Sequence, residues 1–519
     1  MKPIATDIYT FSEMISRGVV YVDKTDKLLD IIDGPSKQFF LARPRRFGKS
    51  LTISTLQAIF EGRRELFKGL AIDRSDYDWK TYPVIRLDMG TCQAATVAEF
   101  REFVFSLLQS EAARLGVVLQ ETTLPSVAFR CLIEETARRS PAGQCVVLVD
   151  EYDKPLLAHL GQPSVEAIRS ELKPFYGVIK YAQEYERFAF ITGVSRFSKV
   201  SIFSDLNNLV DLTMDVRTAT MLGYTHEEVK KYFGEHLAAL GAANGLTPDG
   251  AFEKVVAMYD GYRFRPAAER VVNPVSLGRC FCDCEFRSYW YETGTPTFLM
   301  EMLKHHPMDI SNLQISEDQL GSYEPVNPAI VPLLFQTGYL TIKSMETMGD
   351  LRLYRLGFPN SEVRAAFNRS LVPVYTNVDE FRKTSAQVAC IRALQAHDLK
   401  TFFESLSVFF ANIPYDLTDR QNEQTWQAIL VTLLTFVGAE VRADERTNLG
   451  RIDAVITCPE EIYVVEVKLD KTAADALAQI KEKRYHEKYL ASGKRITLVG
   501  MNFSSQSRAI DDWTSEVLT

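Results

Sequence analysis

Short apolar runs bounded by polar turns punctuate the chain up to about residue 214. Phe39-Phe40-Leu41-Ala42, Tyr82-Pro83-Val84-Ile85-Arg86-Leu87-Asp88, Cys145-Val146-Val147-Leu148-Val149 and Phe188-Ala189-Phe190-Ile191-Thr192 each have the length of a buried strand. Between them, residues 51–60 and 97–115 carry apolar side chains at helical spacing. Strands alternating with helices predict a parallel sheet covered on both faces. Residues 215–290 read as helical, with Thr225 placed to cap a helix and Glu228 to close a capping box. Turns at Tyr259-Asp260-Gly261-Tyr262 and Val272-Asn273-Pro274 follow, and their aromatics read as packing.

From 289 to about 367 the pattern is mixed. It holds Trp290, a Thr293-Gly294-Thr295-Pro296 turn and a hairpin of 338–342 against 351–356, which allows a winged-helix-like arrangement. Residues 372–412 are helical again and bridge to a last stretch. That stretch shows a helix over 421–437 with Trp426, Ile429, Leu430, Leu433 and Leu434 on one stripe, strands at 450–456 and 462–469, and a helix over 473–489.

Composition narrows the class. A chain of 519 residues has room for two to four domains, and 46% hydrophobic with 24% charged residues is ordinary for a globular protein. The net charge of -8 argues against a protein that coats nucleic acid, so any such contact must come from a local basic groove. There is no apolar run of membrane-spanning length, and residues 1–7 are short and polar, so a cytoplasmic protein with no membrane partner is expected. Of the eight cysteines, Cys280, Cys282 and Cys284 alternate; His305 and His306 are too distant to complete a zinc site, and unligated thiols are expected.

Two stretches carry chemistry at the N-terminal end. Arg43-Pro44-Arg45-Arg46-Phe47-Gly48-Lys49-Ser50, with Leu51 beginning the apolar helical pattern, joins a strand to a helix and reads as a phosphate-binding loop. Its backbone N–H groups and the helix N-terminus would hold phosphates, Lys49 would reach the β and γ oxygens, and Ser50 would hold Mg²⁺. The usual spacing asks for glycine where this chain has Arg43, so the loop alone also reads as a basic turn. The strand ending in Asp150 and Glu151 supplies the complement: Asp150 for the Mg²⁺ water shell, Glu151 to polarise attacking water. Motifs in this order point to ATP with Mg²⁺, or Mn²⁺ in its place. At the end of the strand starting at Phe188, Thr192 and Ser195 could sense the γ-phosphate, and Arg196 reads as charge stabilisation or as a surface cation. Residues 1–38, with Tyr21-Val22-Asp23-Lys24-Thr25, read either as a segment closing over the base or as a capped surface helix.

A second centre lies after residue 415. Asp453 and Glu466 sit on neighbouring strand patterns, and alternation puts Glu466 and Lys468 on one face with Val465, Val467 and Leu469 turned into the core. Two acids of this kind would bind Mg²⁺ or Mn²⁺, and Lys468 would orient water or stabilise charge, the constellation of phosphodiester hydrolysis by a PD-(D/E)XK nuclease. Glu423, at the edge of the upstream helix, could reach the metal, and Gln479 could support the site or touch DNA. An inward salt bridge from Lys468 to an acid is the competing account.

Taken together, these motifs resemble bacterial and archaeal AAA-ATPase-like proteins fused to a PD-(D/E)XK nuclease-superfamily domain. The carriers include the loop at 43–50, Val149-Asp150-Glu151-Tyr152-Asp153, Thr192-Gly193-Val194-Ser195-Arg196-Phe197, Gln336-Thr337-Gly338-Tyr339-Leu340, Pro359-Asn360-Ser361-Glu362, Gly450-Arg451-Ile452-Asp453 and Glu466-Val467-Lys468. The resemblance implies that Arg43 is a family trait, and that ATP binding and hydrolysis accompany a metal-dependent nuclease. The expected fold is α/β: a P-loop NTPase parallel sheet (1–214), a helical lid (215–288), a winged-helix-like middle (289–371), a helical bridge (372–414) and a C-terminal α/β PD-(D/E)XK nuclease-like domain (415–519). The expected function is an ATPase controlling a nuclease that cleaves DNA or RNA, in defence or mobile-element biology and with homo-oligomers allowed. Its rivals are a nucleotide-switched signalling protein and a DNA-binding regulator.

Overall fold

The computed structural model describes residues 1–197, 208–290, 297–305, 310, 313–321, 325, 329–376, 378–413, 423–437, 440–446, 451–507 and 509–518. The expected turn at 293–296 and Gly450 lie outside them, as does the side chain of Glu423. The chain forms two compact units. One comprises Met1–Tyr289, Ile315–Arg355 and Pro359–Ser361; the other Trp290–Gln314, Leu356–Phe358 and Glu362–Thr519.

The first unit is built on strands β1 (Gln38–Ala42), β2 (Val84–Asp88), β3 (Cys145–Asp150), β4 (Glu186–Gly193) and β5 (Val210–Asp211), in the order β2-β3-β4-β1-β5. All neighbours run parallel. Helices Lys49–Phe60, Val97–Leu115, Pro125–Arg139 and Val165–Tyr181 connect them, and β3 is buried at every position because both faces are covered. Since β4 lies between β1 and β3, the ends of all three open on one edge, where a crevice for ligand is expected in such sheets.

The helical segment begins as its sequence predicts: Thr225 accepts the N–H of Glu228 and Glu228 returns a bond to the Thr225 N–H. Lys24 reaches the same Glu228 at 2.6 Å and the Thr220 carbonyl at 2.8 Å, while Asp23 accepts the Ala71 N–H at 2.8 Å. The Tyr21–Thr25 motif therefore staples the N-terminal segment to this unit. A hairpin is present with its first strand later than expected: Gly338 closes helix Ile330–Thr337, and β7 (Thr341–Met348), not 338–342, pairs with β8 (Leu351–Gly357), while β6 (Leu313–Ser316) lies on the other side of β8.

In the second unit, helices Glu380–Gln395 and Leu399–Phe410 accompany a five-stranded mixed sheet. Its strands are β9 (Glu440–Arg446), β10 (Arg451–Thr457), β11 (Glu461–Leu469), β12 (Arg495–Ser504) and β13 (Ala509–Leu518), ordered β13-β12-β11-β10-β9. Two expectations need correction here. The core was placed on one face of β11, yet residues 461–468 are all buried: Ile462 and Val464 pack with Ile452, Ile480 and Tyr485 on the face that carries Glu466. The helix expected over 473–489 stops at Glu482, because Arg484 turns to φ 50° and a 3-10 segment, Tyr485–Ser492, follows. All eight cysteines are thiols, and Cys284 closes helix Pro274–Asp283 in the left-handed region. Among the described residues no helix is long and apolar enough to cross a membrane.

Glu186 is fully buried at the start of β4, away from the crevice edge. Gln38 donates to it at 2.6 Å, and burial pushes its carboxyl up to about 8 against an ordinary value of 4.5. The unfolded chain releases this proton first, so the wild type loses stability as pH rises from about 4.5 to 8 and the loss levels off above. Glu186→Gln should flatten that dependence and be the more stable protein at pH 9, by on the order of a few kcal/mol, in urea unfolding curves run across this range.

Candidate nucleotide and nuclease sites

The loop after β1 turns twice into the left-handed region, at Arg46 (φ 67°) and Gly48 (φ 92°), before helix Lys49–Phe60 begins. Lys49 is buried and arches back over the loop, donating to the carbonyls of Arg43 at 3.1 Å and Pro44 at 3.0 Å. Burial pulls its ammonium pKa down, and the carboxylates of Asp150, Glu151 and Asp153 push it back up. Ser50 hydrogen-bonds the Asp150 carboxylate, whose pKa is raised by burial against the pull of Ser50 and Lys49. Glu151 turns at φ 48° and its N–H donates to Asp150 Oδ1 at 3.0 Å. This turn carries the Glu151 carboxylate beside Gly90 and the end of β2, where Asp88 stands opposite Asp150.

The Arg43 side chain is turned into the protein. Its buried guanidinium donates to the carbonyls of Ala42 (2.9 Å), Thr213 (2.7 Å) and Thr218 (2.9 Å) and lies 4.2 Å from the Phe264 ring centre. Phe47 packs edge-on against Tyr262 at 4.8 Å and Phe264 at 5.3 Å. Arg43 and Phe47 thus brace the loop from below, while Arg45, Arg46 and Leu51 are only partly buried.

At the end of β4, Thr192 donates to the Leu41 carbonyl and is tied to β1. Ser195 is fully buried; its N–H donates to Asp153 at 2.5 Å and its carbonyl accepts Tyr152 Oη at 2.9 Å. Arg196 pairs with Asp211 at 2.5 Å, and its N–H donates to Gln336 Oε1 at 2.7 Å.

The second centre forms between β10 and β11. These strands pair antiparallel with Ala454 opposite Val465, and Asp453 and Glu466 are the chain neighbours of that pair. Asp453 Oδ2 accepts the Val467 N–H at 2.8 Å. Glu466 Oε1 accepts Lys468 Nζ at 3.0 Å and also the amide of Gln479, on helix Ala473–Glu482. That helix lies close to the sheet because Gly500, the β12 partner of Glu466, has no side chain: a Cβ there would sit 2.8 Å from the Leu477 nitrogen. Glu466, Lys468 and Gln479 therefore meet at one carboxylate oxygen, and Asp453 is hydrogen-bonded to the backbone between Glu466 and Lys468.

Comparison with known proteins finds two families along the chain. Residues 4–203 match the predicted AAA-ATPase (AAA-ATPase-like) family, and residues 421–513 match the PD-(D/E)XK nuclease superfamily. Over its whole length the chain is 35% identical to a protein of Azotobacter chroococcum mcd 1 described as "Uncharacterized protein in vnfD 5'region", 99% of which is covered. The chain belongs to this family of AAA-ATPase-like proteins with a C-terminal PD-(D/E)XK nuclease-superfamily domain. No solved structure matches it.

In this AAA-ATPase-like protein the donors suit hard cations. Asp453 and Glu466 offer carboxylate oxygens from neighbouring strands, and Ser50 with Asp150 offers a hydroxyl and a carboxylate, which fits Mg²⁺ or Mn²⁺. Among the described residues no three acidic, histidine or cysteine side chains form a ready-made cage. Glu423 opens helix Glu423–Phe436.

Sequence reasoning gave no individual role to Asp88, Asp153, Asp211, Gln336 or Gly500. Asp88 ends β2 as Asp150 ends β3, a signal that was readable; Gly500 sits in an unremarkable strand, and only the packed helix reveals it. Asp153 faces Gly193, where a Cβ would lie 2.6 Å from the Tyr152 ring. Gly193→Ala and Gly500→Ala should each lower stability by about 1–3 kcal/mol through overpacking, read as reduced urea midpoints with the β4 and β12 amides losing hydrogen-exchange protection.

Proposed function

We propose that the protein binds and hydrolyses ATP at the loop of the first unit, and that its second unit is a metal-dependent nuclease under nucleotide control. The observation that carries the nuclease reading is the convergence of Asp453, Glu466, Lys468 and Gln479 from two strands and a helix. Lys468 and Gln479 fix one oxygen of Glu466, leaving the carboxylate group aimed rather than free to rotate. Lys468 then holds positive charge where a scissile phosphate gathers negative charge. A bound Mg²⁺ or Mn²⁺ would supply an activated water and neutralise the phosphate.

At the other centre, Lys49 exchanges two loop carbonyls for phosphate oxygens, Ser50 and Asp150 hold the Mg²⁺ shell, and Glu151 polarises water. Arg196 exchanges Asp211 for the γ-phosphate, and Gln336 reports that exchange to helix Ile330–Thr337. We read that helix with β6, β7 and β8 as a winged-helix-like connector. DNA, with RNA as the alternative polymer, is the substrate, in defence or mobile-element biology.

The test is cleavage of plasmid, linear DNA and RNA with Mg²⁺ or Mn²⁺, with and without ATP. Lys468→Ala should lose about 100-fold or more of the rate, as expected for removing charge stabilisation. Lys49→Ala should abolish ATP binding and the nucleotide's effect on cleavage while retaining the metal requirement. Wild type and Lys468→Ala equally inert on every polymer would overturn the nuclease and leave a nucleotide-switched binding protein. Asp211→Asn should tighten ATP binding several-fold by freeing Arg196, measured by calorimetry; unchanged affinity would remove Arg196 from the site.

A further inference from the structure

The segment from Tyr262 to Val271, closed by an antiparallel bridge between those two residues, has two faces. Tyr262 and Phe264 are buried and brace the nucleotide loop through Phe47 and Arg43. Arg263 lies between them on the opposite side, since extended backbone alternates. Its N–H donates to Thr341 Oγ1 at 2.7 Å and its guanidinium to the Lys343 carbonyl at 3.2 Å, fastening the segment to β7. Lys343 Nζ donates to the Pro359 carbonyl at 3.2 Å. Arg270, half exposed, approaches Asp260 at 3.4 Å.

Charge does not balance here. Arg263, Arg270 and Lys343 are cations, and among the described residues the carboxylate paired with this group is Asp260, which is 1% exposed and already shared with His226 at 3.1 Å. Burial first, then the charges of Arg270 and Arg263, pull the Lys343 ammonium down to about 8, with Asp260 opposing. Cations crowded enough to disfavour one another's charge gain from an incoming anion. Arginine forks and a lysine together are the donor set for phosphate oxygens. The protein as a whole carries a net charge of -8, so this concentration of positive charge runs against its surroundings.

We propose that Arg263, Arg270 and Lys343 form a phosphate-binding surface on the first unit that takes the backbone of a nucleic acid. Lys343 is exposed as a residue although its ammonium, held on the Pro359 carbonyl, is partly buried, and Arg270 is half exposed, so a polymer backbone can reach the cluster without a pocket to enclose a base. The choice of nucleic acid over other polyanions rests on the nuclease reading of the second unit. This surface serves to retain the substrate, since phosphate contacts position a polymer without reading its bases.

The experiment uses the full chain carrying Lys468→Ala, in chelator, so that binding is measured without cleavage and does not depend on whether the nuclease is active. A labelled DNA duplex is titrated by fluorescence anisotropy over a range of salt. Relative to that parent, Arg263→Gln/Arg270→Gln/Lys343→Gln should weaken binding about 10- to 100-fold and reduce the slope of log affinity against log salt by about 2–3. Lys343→Gln alone, with its thermal midpoint and ATP binding unchanged, should still lower the slope by about 1, which separates lost contacts from lost folding. Unchanged affinity and slope in both variants would overturn the surface. Polyglutamate displacing the duplex as well as unlabelled DNA does would overturn its assignment to nucleic acid.

Discussion

The guanidinium of Arg43 lies beneath the loop to which it belongs, and the nucleotide end is arranged around it. Three carbonyls, from Ala42, Thr213 and Thr218, receive its N–H groups, and Phe264 covers its face. Burial pulls its pKa to about 9, which still leaves it charged at neutral pH. A glycine at this position would free the backbone but leave those buried carbonyls short of donors, each omission costing on the order of 1–3 kcal/mol. The chain has taken the other course. An anchoring side chain holds the first residue of the loop, and the unusual backbone angles fall on Arg46 and Gly48 instead.

That anchor also explains which parts were legible from sequence. Strands β1 to β4 and helix Val97–Leu115 announce themselves because each buries an apolar run or stripe in a local pattern, and the capping box at Thr225 is written in four consecutive residues. The acids ending β3 and the pair Glu466 and Lys468 are legible for the same reason: charge at the end of, or inside, an apolar strand is costly and demands a purpose. Arg43 is different. In sequence it looks like one more cation in a basic loop; its partners at 213, 218 and 264 are joined to it only by the fold. Asp211 and Gln336 were hidden in the same way, since each meets Arg196 across a long stretch of chain.

The errors have a physical origin too. Alternation along β11 correctly grouped Glu466 with Lys468, but alternation alone assigns one core face, and this strand is central, so both faces are covered. A helix packed on the polar side brings Gln479 to Glu466 and buries its next residue, Ile480, against Ile462 and Val464. The same helix was expected to continue to residue 489 because periodicity persists through the 3-10 segment. What ends it is the backbone at Arg484, and no apolar pattern encodes that turn.

A plain structural salt bridge is the simplest competitor for the proposed nuclease centre, and the Lys468–Glu466 pair is common to both readings. To neutralise Glu466, Lys468 alone at 3.0 Å suffices, and replacing both by apolar residues would be at least as stable. Here the neighbouring strand adds Asp453, which accepts the Val467 N–H beside Glu466, and Gln479 is brought in to fix the same oxygen that Lys468 holds. Bringing in a second acid raises the electrostatic cost of folding, and positioning the amide requires Gly500 to admit the helix backbone. On the proposed nuclease reading, groups that make burial more expensive while fixing their own orientation supply the preorganisation that a cation and a phosphate need.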